Sequence, residues 1–414
     1  MSPFAIAVIS DIHIGAGARS SDLLPPGYAT KQRNEGFLSA FEQFVLAREL
    51  KADCLIVSGD LSSKADPSEF VHASDISSRV ATALQVPQDK IYATFGNHDV
   101  DWSVLKLPKG TTEQTRAFRW GQRYAPITNS TNIFGSRTSP PVFVGSLTDL
   151  PFAGYWTSAD HLFVTINTSA HDRPNDAVHH GLVRMETIEW LKTQILPRAA
   201  GNDSVRCLVL HHHLVPHGNA GTDAVDFSVC QNGDQLLALL RDLDFDLVVH
   251  GHRHRPRFEI ELIGSDHPIA MLGAGSFCAD LSKEYGGGVH NQFHLLSIQG
   301  RYPNTSRLYG ELRNWAYVFP AGWRENVPNF TVVDHLIGFG GPLSWKELAT
   351  VLHQPIKNRS QIGKPFSLSS IGPIFEQLRY VSPGTARRAI EEIAKVESLE
   401  IAWVSGHPIS AFLG

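Results

Sequence analysis

The chain has 414 residues and a formal net charge of −5, with 42% hydrophobic and 19% charged residues. These proportions are typical of a globular protein that buries an apolar core, and the length allows one large domain and a smaller one. The weak charge gives no support for a membrane partner, and no apolar run approaches the roughly 20 residues of a membrane helix.

Apolar runs and helical patterns alternate along the first 250 residues. Residues 4–9 form a short apolar run that predicts a strand, and residues 35–50 repeat Phe37, Phe41 and Phe44 near the helical period. The further predicted strands are 54–57, 91–95, 162–166, 206–210 and 246–249, and the further predicted helices are 66–84, 185–196 and 235–243. This alternation predicts an α/β fold in which helices cover a sheet.

Two segments depart from this alternation. Residues 101–155 are rich in Thr, Ser, Pro and Gly, which predicts an insertion near the site; a plain surface loop is the competing interpretation. Beyond residue 255 the pattern favours strands, at 258–263, 268–273 and 293–298, and these could add a second sheet.

The end of the chain has its own helical pattern, beginning at Ser382-Pro383. We therefore expect a catalytic domain over residues 1–300 and a C-terminal extension of unknown role over residues 301–414. That extension could pack on the catalytic domain, form a homo-oligomer surface or bind a partner.

The cysteines and the N-terminus suggest a reducing compartment. Cys54 and Cys207 lie inside apolar runs, and together with Cys230 and Cys278 they form no C-x-x-C pair, so we expect reduced core thiols. The N-terminus lacks a basic segment and a cleavage site, which argues against a signal peptide. We expect a cytoplasmic protein.

Five short polar motifs each follow a predicted strand. They are Asp11-Ile12-His13, Gly59-Asp60, Gly96-Asn97-His98-Asp99, His211-His212-His213 and Gly251-His252-Arg253-His254. Because ligands bind at the carboxyl ends of strands in α/β sheets, five loops would bring these groups to one rim. Each motif alone also fits an ordinary turn or a polar surface, and it is their combination that favours a shared site.

The residue types in these motifs suit metal ions. Carboxylate with imidazole favours Mn, Fe, Zn, Ni or Co over Ca or Mg. The ligands are too many for one ion, so we expect two divalent or trivalent ions. Asp60, which follows a tight glycine, is the best candidate to bridge them.

The five motifs, in this order, resemble the calcineurin-like metallophosphoesterase superfamily over roughly residues 1–300. The likeness looks closest to the bacterial branch that includes class III cyclic-nucleotide phosphodiesterases, partly through Val100 after the third motif and Trp190-Leu191 before the histidine strand. It implies a four-layer α/β/β/α sandwich, with a smaller C-terminal α+β extension to which the likeness does not reach.

The resemblance also implies roles for single residues. Asp11, His13 and His254 would hold the first metal, Asn97, His211 and His252 the second, and Asp60 would bridge both. His98 would contact the phosphate and protonate the leaving oxygen, and Asp99 would orient His98. His212 remains an alternative to His211, because three histidines precede Leu214-Val215-Pro216 where the family usually has His-His-Pro or His-x-Pro.

The implied activity is hydrolysis of a phosphodiester by a metal-bridging hydroxide, with His98 as general acid. Small-molecule or cyclic-nucleotide phosphodiesters are the expected substrates. A nuclease acting on DNA or RNA and a phosphomonoesterase are the alternatives, and a non-catalytic scaffold is disfavoured because His98 is present. Arg255 could contact a substrate phosphate, although solvated surface charge is the simpler interpretation.

Overall fold

The computed structural model describes the segments 3–28, 36–106, 108–124, 153–158, 161–170, 180–195, 204–216, 228–261, 268–282, 289–302, 307–325, 333–360, 366–367, 377–404 and 407–413. Its helices are α1 (Phe37–Ala47), α2 (Pro67–Ala83), α3 (Glu113–Gln122), α4 (Met185–Trp190), α5 (Gly233–Asp242), α6 (Trp345–Ser360) and α7 (Pro383–Glu397). Its strands are β1 (Phe4–Ile9), β2 (Cys54–Ser58), β3 (Ile91–Thr94), β4 (Ala153–Ser158), β5 (His161–Ile166), β6 (Arg206–Val209), β7 (Leu247–His250), β8 (Arg257–Glu261), β9 (Ile269–Gly273), β10 (Asn291–Arg301), β11 (Leu308–Val318), β12 (Gly322–Arg324), β13 (Leu336–Phe339), β14 (Phe366–Ser367), β15 (Leu399–Val404) and β16 (His407–Leu413).

The first sheet has the order β12-β11-β10-β1-β2-β3, with β13 paired to β11. Strands β1, β2 and β3 are parallel, and β10 joins β1 in the antiparallel sense. Parallel strands are usually covered on both faces, which explains why β1 and β2 are almost continuously apolar.

The second sheet has the order β4-β5-β6-β7-β9-β8. Its four central strands are parallel, and the two edge strands β4 and β8 are antiparallel to their neighbours.

Three apolar clusters separate four layers. Alternate residues of β1 divide between two clusters: Ile6 packs between the two sheets, whereas Ile9 packs with Phe41 of α1. In the second sheet Val248 of β7 packs with Leu240 of α5 in the third cluster. The predicted α/β/β/α sandwich is therefore confirmed.

Two predicted helix starts have the expected caps. The carboxylate of Asp66 accepts a hydrogen bond from the backbone N–H of Ser68 at 2.8 Å, and the hydroxyl of Ser382 accepts one from Thr385 at 3.2 Å. Proline occupies the first helical position in both, where its missing N–H is not needed. The helix expected over residues 185–196 is α-helical only to Trp190 and continues as a π-helical turn.

The division of the chain differs from the predicted boundary at residue 300. That boundary falls inside β10, and β11 and β13 then extend the first sheet as far as Phe339. The physical reason is burial of apolar side chains. Trp315, Tyr317 and Trp323 pack in the same core as α1 rather than in a separate unit. The C-terminal unit comprises α6, α7 and β14–β16, with its own cluster around Leu352.

The remaining global features concern thiols and hydropathy. The four cysteines are buried free thiols. In the segments that the structure describes, no helix combines the length and the apolar character needed to cross a bilayer.

Candidate metal centre

The five motifs lie directly after β1, β2, β3, β6 and β7, so both sheets supply residues to one place. The first three strands run parallel in one sheet, and the last two run parallel in the other. The carboxyl ends of the strands therefore bring together loops that are up to about 240 residues apart, such as those of His13 and His254.

The first group of converging side chains consists of Asp11, His13, Asp60 and His254. One ligand atom from each lies within 4.8 Å of all the others. Nε2 of His13 and Nε2 of His254 are 3.0 Å apart, and the latter is 3.3 Å from Oδ1 of Asp11. Nε2 of His13 lies 3.5 Å from Oδ2 of Asp60.

The second group consists of Asp60, Asn97, His211 and His252. Nε2 of His211 lies 3.2 Å from Oδ2 of Asp60 and 3.2 Å from Oδ1 of Asn97. Nδ1 of His252 lies 3.1 Å from the same Asn97 oxygen. Oδ2 of Asp60 thus faces both groups, as expected of a bridging carboxylate.

Most of the predicted ligands have a left-handed backbone. Positive φ angles occur at Asp11 (48°), His13 (45°), Asp60 (50°), His252 (78°) and His254 (53°). Residues other than glycine seldom adopt this region, although Asp and His do so more often than most. Such conformations cost about 1–3 kcal/mol each and cluster at functional sites.

Two glycines of the motifs leave room for neighbouring ligands. A Cβ on Gly59, whose φ is +96°, would lie 2.5 Å from Nδ1 of His211. A Cβ on Gly96 would collide with Oδ1 of Asp60. In both motifs a glycine is therefore required, because a ligand from another strand approaches its backbone closely.

The geometry favours His211 over His212 as a ligand. Nδ1 of His211 lies 2.9 Å from the carbonyl oxygen of Ser58, which can only accept, so in the neutral ring Nδ1 carries the proton and Nε2 is the nitrogen that offers a lone pair to a cation. His212 instead places its Nδ1 2.9 Å from the hydroxyl of Thr168.

The remaining imidazoles are suited to bind cations. Burial lowers the pKa of His13 to about 3. Burial, together with the neighbouring His212 and His211, holds the pKa of His252 well below its usual value. Both rings are therefore neutral near pH 7 and offer lone pairs.

The two carboxylates are ionised although they are buried. Burial alone would raise the pKa of Asp60, but neighbouring His211 and His98 hold it well below its usual range. Although burial opposes it, Asp60 in turn raises the pKa of His211 to about 9, so a cation bound by that ring would displace a proton from it. Burial also opposes ionisation of Asp11, and His254 lowers its pKa by charge and hydrogen bonding. Lone pairs and anionic oxygens thus converge within 3.0–3.5 Å, an arrangement that fits cations between them.

His98 lies at the exposed side of this centre. Its backbone N–H donates to Oδ1 of Asp60 at 2.8 Å, and its ring is 4.6 Å from the ring of His13 between centroids. Nδ1 of His98 lies 3.2 Å from the carbonyl oxygen of Ser63.

The Asp99 carboxylate, to which the resemblance assigns the orientation of His98, accepts its hydrogen bonds from other groups than the His98 ring. Its buried carboxylate accepts hydrogen bonds from the backbone N–H groups of Gly96 (2.9 Å), Leu61 (3.2 Å) and Ser62 (2.9 Å), and from the Ser62 hydroxyl (3.0 Å). Asp99 therefore joins two backbone loops, and the ring of His98 meets a carbonyl group instead.

Several supporting residues are missing from the sequence-based prediction. The hydroxyl of Ser10 donates to Oδ2 of Asp11 at 2.5 Å, and that of Ser276 donates to the Asp11 carbonyl at 2.7 Å. Nε1 of Trp102 donates to the carbonyl of Asn97 at 3.0 Å. Trp102 opens the predicted insertion, so its described start does touch the site, whereas residues 107 and 125–152 lie outside the described segments. Serine and tryptophan form no pattern that would have marked these contacts.

Arg253 of the last motif and Arg257, which lies just after it, make contacts with other parts of the chain. Arg257 donates to the carbonyl of Pro216 at 2.6 Å and pairs with Glu259. Arg253 donates to the Ser228 hydroxyl at 3.2 Å.

Comparison with known proteins places this site in a family. The calcineurin-like phosphoesterase profile matches residues 4–256. No curated protein sequence matches the chain. Among solved structures, purple acid phosphatase PPD1 from yellow lupin (Lupinus luteus) is 14% identical, covers 75% of this chain and 51% of its own, and has a TM-score of 0.44.

Two further structures are similar at the same distant level. A dimetal phosphatase from Danio rerio is 12% identical, with coverages of 72% and 95% and a TM-score of 0.39. A putative 5'-nucleotidase from Staphylococcus aureus is 17% identical, with coverages of 72% and 51% and a TM-score of 0.38. The chain spans about half the length of the lupin and staphylococcal proteins. Since the profile covers more than half of the sequence and contains all five motifs, the chain belongs to the calcineurin-like phosphoesterase family.

Proposed function

We propose that the protein hydrolyses phosphodiesters of small molecules, cyclic nucleotides included, with two metal ions held at this centre. The observation that carries the proposal is the position of Asp60, whose Oδ2 faces His13 at 3.5 Å and His211 at 3.2 Å. A carboxylate shared between two ligand groups is what a pair of ions requires.

The chain supplies a complete ligand set for both ions. Asp11, His13 and His254 would hold one, and Asn97, His211 and His252 the other, with Asp60 common to both. Two such ions supply positive charge to the phosphoryl oxygens and make water nucleophilic at neutral pH. The mixture of carboxylate, amide and imidazole favours Mn, Fe, Zn, Ni or Co.

His98 is the residue that we assign to protonation of the leaving oxygen. The Ser63 carbonyl occupies its Nδ1, so Nε2 is the nitrogen left to face a substrate. The protonated ring would give its Nε2 proton to the leaving oxygen and keep the Nδ1 proton on the Ser63 carbonyl. The ring lies beside His13 at the exposed side of the ligand groups. General acids of this kind contribute roughly 10²–10⁴ in rate.

Charge favours small substrates over nucleic acid. The chain carries a net charge of −5, and residues 301–414 hold 12 Lys and Arg against 9 Asp and Glu. Nucleic-acid binding depends largely on cationic contacts with phosphates, and this sequence has no stripe of them. Nuclease activity and phosphomonoesterase activity are therefore the alternatives, and the substrate test distinguishes them from hydrolysis of a small phosphodiester.

The test combines metal analysis with a substrate panel. We expect about two ions per chain, and the Mn²⁺-loaded protein should hydrolyse bis-p-nitrophenyl phosphate and a cyclic nucleotide faster than p-nitrophenyl phosphate or single-stranded DNA. Asp60→Ala should lose metal and activity, whereas Asp89→Ala, which removes an exposed carboxylate, should keep both. Absence of hydrolysis with every metal would refute the proposal. Faster hydrolysis of DNA or of the monoester would show that small phosphodiesters are the wrong substrate class.

A further inference from the structure

Glu69 is a buried carboxylate that none of the proposed catalytic roles uses. It lies in the first turn of α2 and has no exposed surface, and within the described segments its hydrogen bonds go to Tyr28, Ser63 and Lys64 rather than to the proposed metal ligands. Its Oε2 accepts hydrogen bonds from the backbone N–H groups of Ser63 (3.0 Å) and Lys64 (2.9 Å). Its Oε1 accepts one from the hydroxyl of Tyr28 at 2.9 Å. Three donors compensate for burying the charge, which would otherwise be costly.

The loop after the first motif leaves space for this carboxylate. Gly15 has a φ of +103°, and a Cβ there would collide with Oε1 of Glu69. The side chain of Glu69 therefore occupies a place beside the Asp11–His13 loop that only a glycine leaves open.

The backbone held by Glu69 also meets His98. Ser63 donates its N–H to Glu69, and its carbonyl oxygen lies 3.2 Å from Nδ1 of His98. The Ser63 hydroxyl fixes the same residue from a third side, because it donates to the carbonyl of His13 at 2.7 Å. Since a carbonyl can only accept, the proton of a neutral His98 belongs on Nδ1.

We propose that Glu69 is a positioning residue: by holding the backbone of Ser63 and Lys64, it fixes the imidazole of His98 with Nδ1 on the Ser63 carbonyl and Nε2 free for the leaving group. The inference rests on the proposed function for its catalytic consequence, but not for the orientation of the ring. Glu69 touches neither substrate nor metal in this scheme.

The rate effect depends on how much the leaving group needs a proton. Loss of a general acid costs roughly 10²–10⁴ where the leaving oxygen is a poor leaving group. A p-nitrophenolate needs little protonation, so its departure should be affected far less. The diagnostic quantity is therefore the ratio of kcat for a p-nitrophenyl diester to kcat for an alkyl diester.

Four variants separate positioning from general damage. His98→Ala and Glu69→Ala should both raise this ratio, the latter by about tenfold or more. Glu69→Gln should restore much of the wild-type ratio, because its amide oxygen can still accept from Ser63 and Lys64. Asp75→Asn removes an exposed carboxylate from the same helix and should leave the ratio unchanged. All ratios are compared at equal metal content.

A second measurement needs no activity. In the zinc-loaded protein, the ring ¹⁵N shifts of His98, assigned by comparison with His98→Ala, should show the proton on Nδ1. In Glu69→Ala they should move towards the Nε2–H form that free imidazole side chains prefer. This readout decides the positioning role even if the wild type hydrolyses no ester, so failure of the proposed function is distinguishable from failure of this inference.

An unchanged ratio together with unchanged ring shifts in Glu69→Ala would overturn the proposal. If that variant does not fold, Tyr28→Phe replaces it, since it removes one donor to Glu69 from a partly exposed position. We expect a change of about threefold in the ratio for this milder loss. A wild-type ratio and wild-type ring shifts in Tyr28→Phe would then overturn it.

Discussion

The substitution Asp99→Asn separates two roles for the residue beside His98. In the structure both carboxylate oxygens accept two hydrogen bonds: Oδ2 from Gly96 and Leu61, and Oδ1 from the N–H and hydroxyl of Ser62. The amide keeps the shape of the side chain but turns one acceptor oxygen into an NH₂ donor.

The cost follows from counting donors. With its NH₂ turned towards Ser62, the amide loses only the bond from the Ser62 N–H, because the Ser62 hydroxyl can accept from the NH₂ while it donates to the His98 carbonyl at 3.1 Å. A buried group left unsatisfied costs about 1–3 kcal/mol, so the free energy of unfolding should fall by about 1–3 kcal/mol. The same loops carry Asp60 and Asn97, so metal affinity should fall by about 10–100-fold, as for other supporting contacts of metal ligands.

Urea unfolding and metal titration of purified protein measure both effects. Asp101→Asn is the matched control, because the carboxylate of Asp101 caps Ser103 near the surface, with a backbone bond of 2.9 Å, and its loss should cost at most about 1 kcal/mol. If Asp99→Asn loses less than the control and retains its metals while the tautomer of His98 changes, then Asp99 acts on His98 directly and the backbone role is wrong.

Three further predictions concern other parts of the molecule. Burial lowers the pKa of His294 to about 4, so the unfolded chain binds a proton that the folded chain does not as the pH falls from about 6.5 to about 4. The free energy of unfolding should therefore fall by about 2 kcal/mol from pH 7 to pH 5 because of His294. Urea unfolding of His294→Gln at both pH values should show a fall that is smaller by this amount. Gly59→Ala should place its methyl group against His211 and leave fewer than two ions per chain by elemental analysis, whereas two retained ions would contradict the close approach. His211→Ala should lose metal in the same assay while His212→Ala keeps it, and the reverse result would exchange their assignments.

The sequence reveals the layers of the fold better than it reveals the edges of the first sheet. Strands β1, β2, β6 and β7 are apolar runs, which the hydrophobic pattern detects directly. Strand β11 is interrupted by Glu311 and Arg313, and that mixture does not stand out as a strand. In the structure Glu311 is buried, and Arg379, which lies shortly before α7, pairs with it. A partner 68 positions away is not visible in a local pattern.

The site shows the same division between local pattern and packing. The predicted ligands follow strand ends, and strand ends in parallel sheets converge regardless of what surrounds them. The partner of Asp99 depends instead on the short 3₁₀ turn Asn97–Asp99, along which successive side chains point in different directions. Adjacency to His98 in the sequence therefore does not produce contact with its ring.

Asp99 and Glu69 hold the backbone that follows Asp60, one of the strained positions of this centre. Five ligand residues hold φ angles between 45° and 78°, each at a cost of about 1–3 kcal/mol, which together is comparable with the stability of a whole domain. Two buried carboxylates oppose this cost: Asp99 fixes the loops of β2 and β3, and Glu69 fixes the backbone that follows Asp60. Neither needs to touch a metal ion to act.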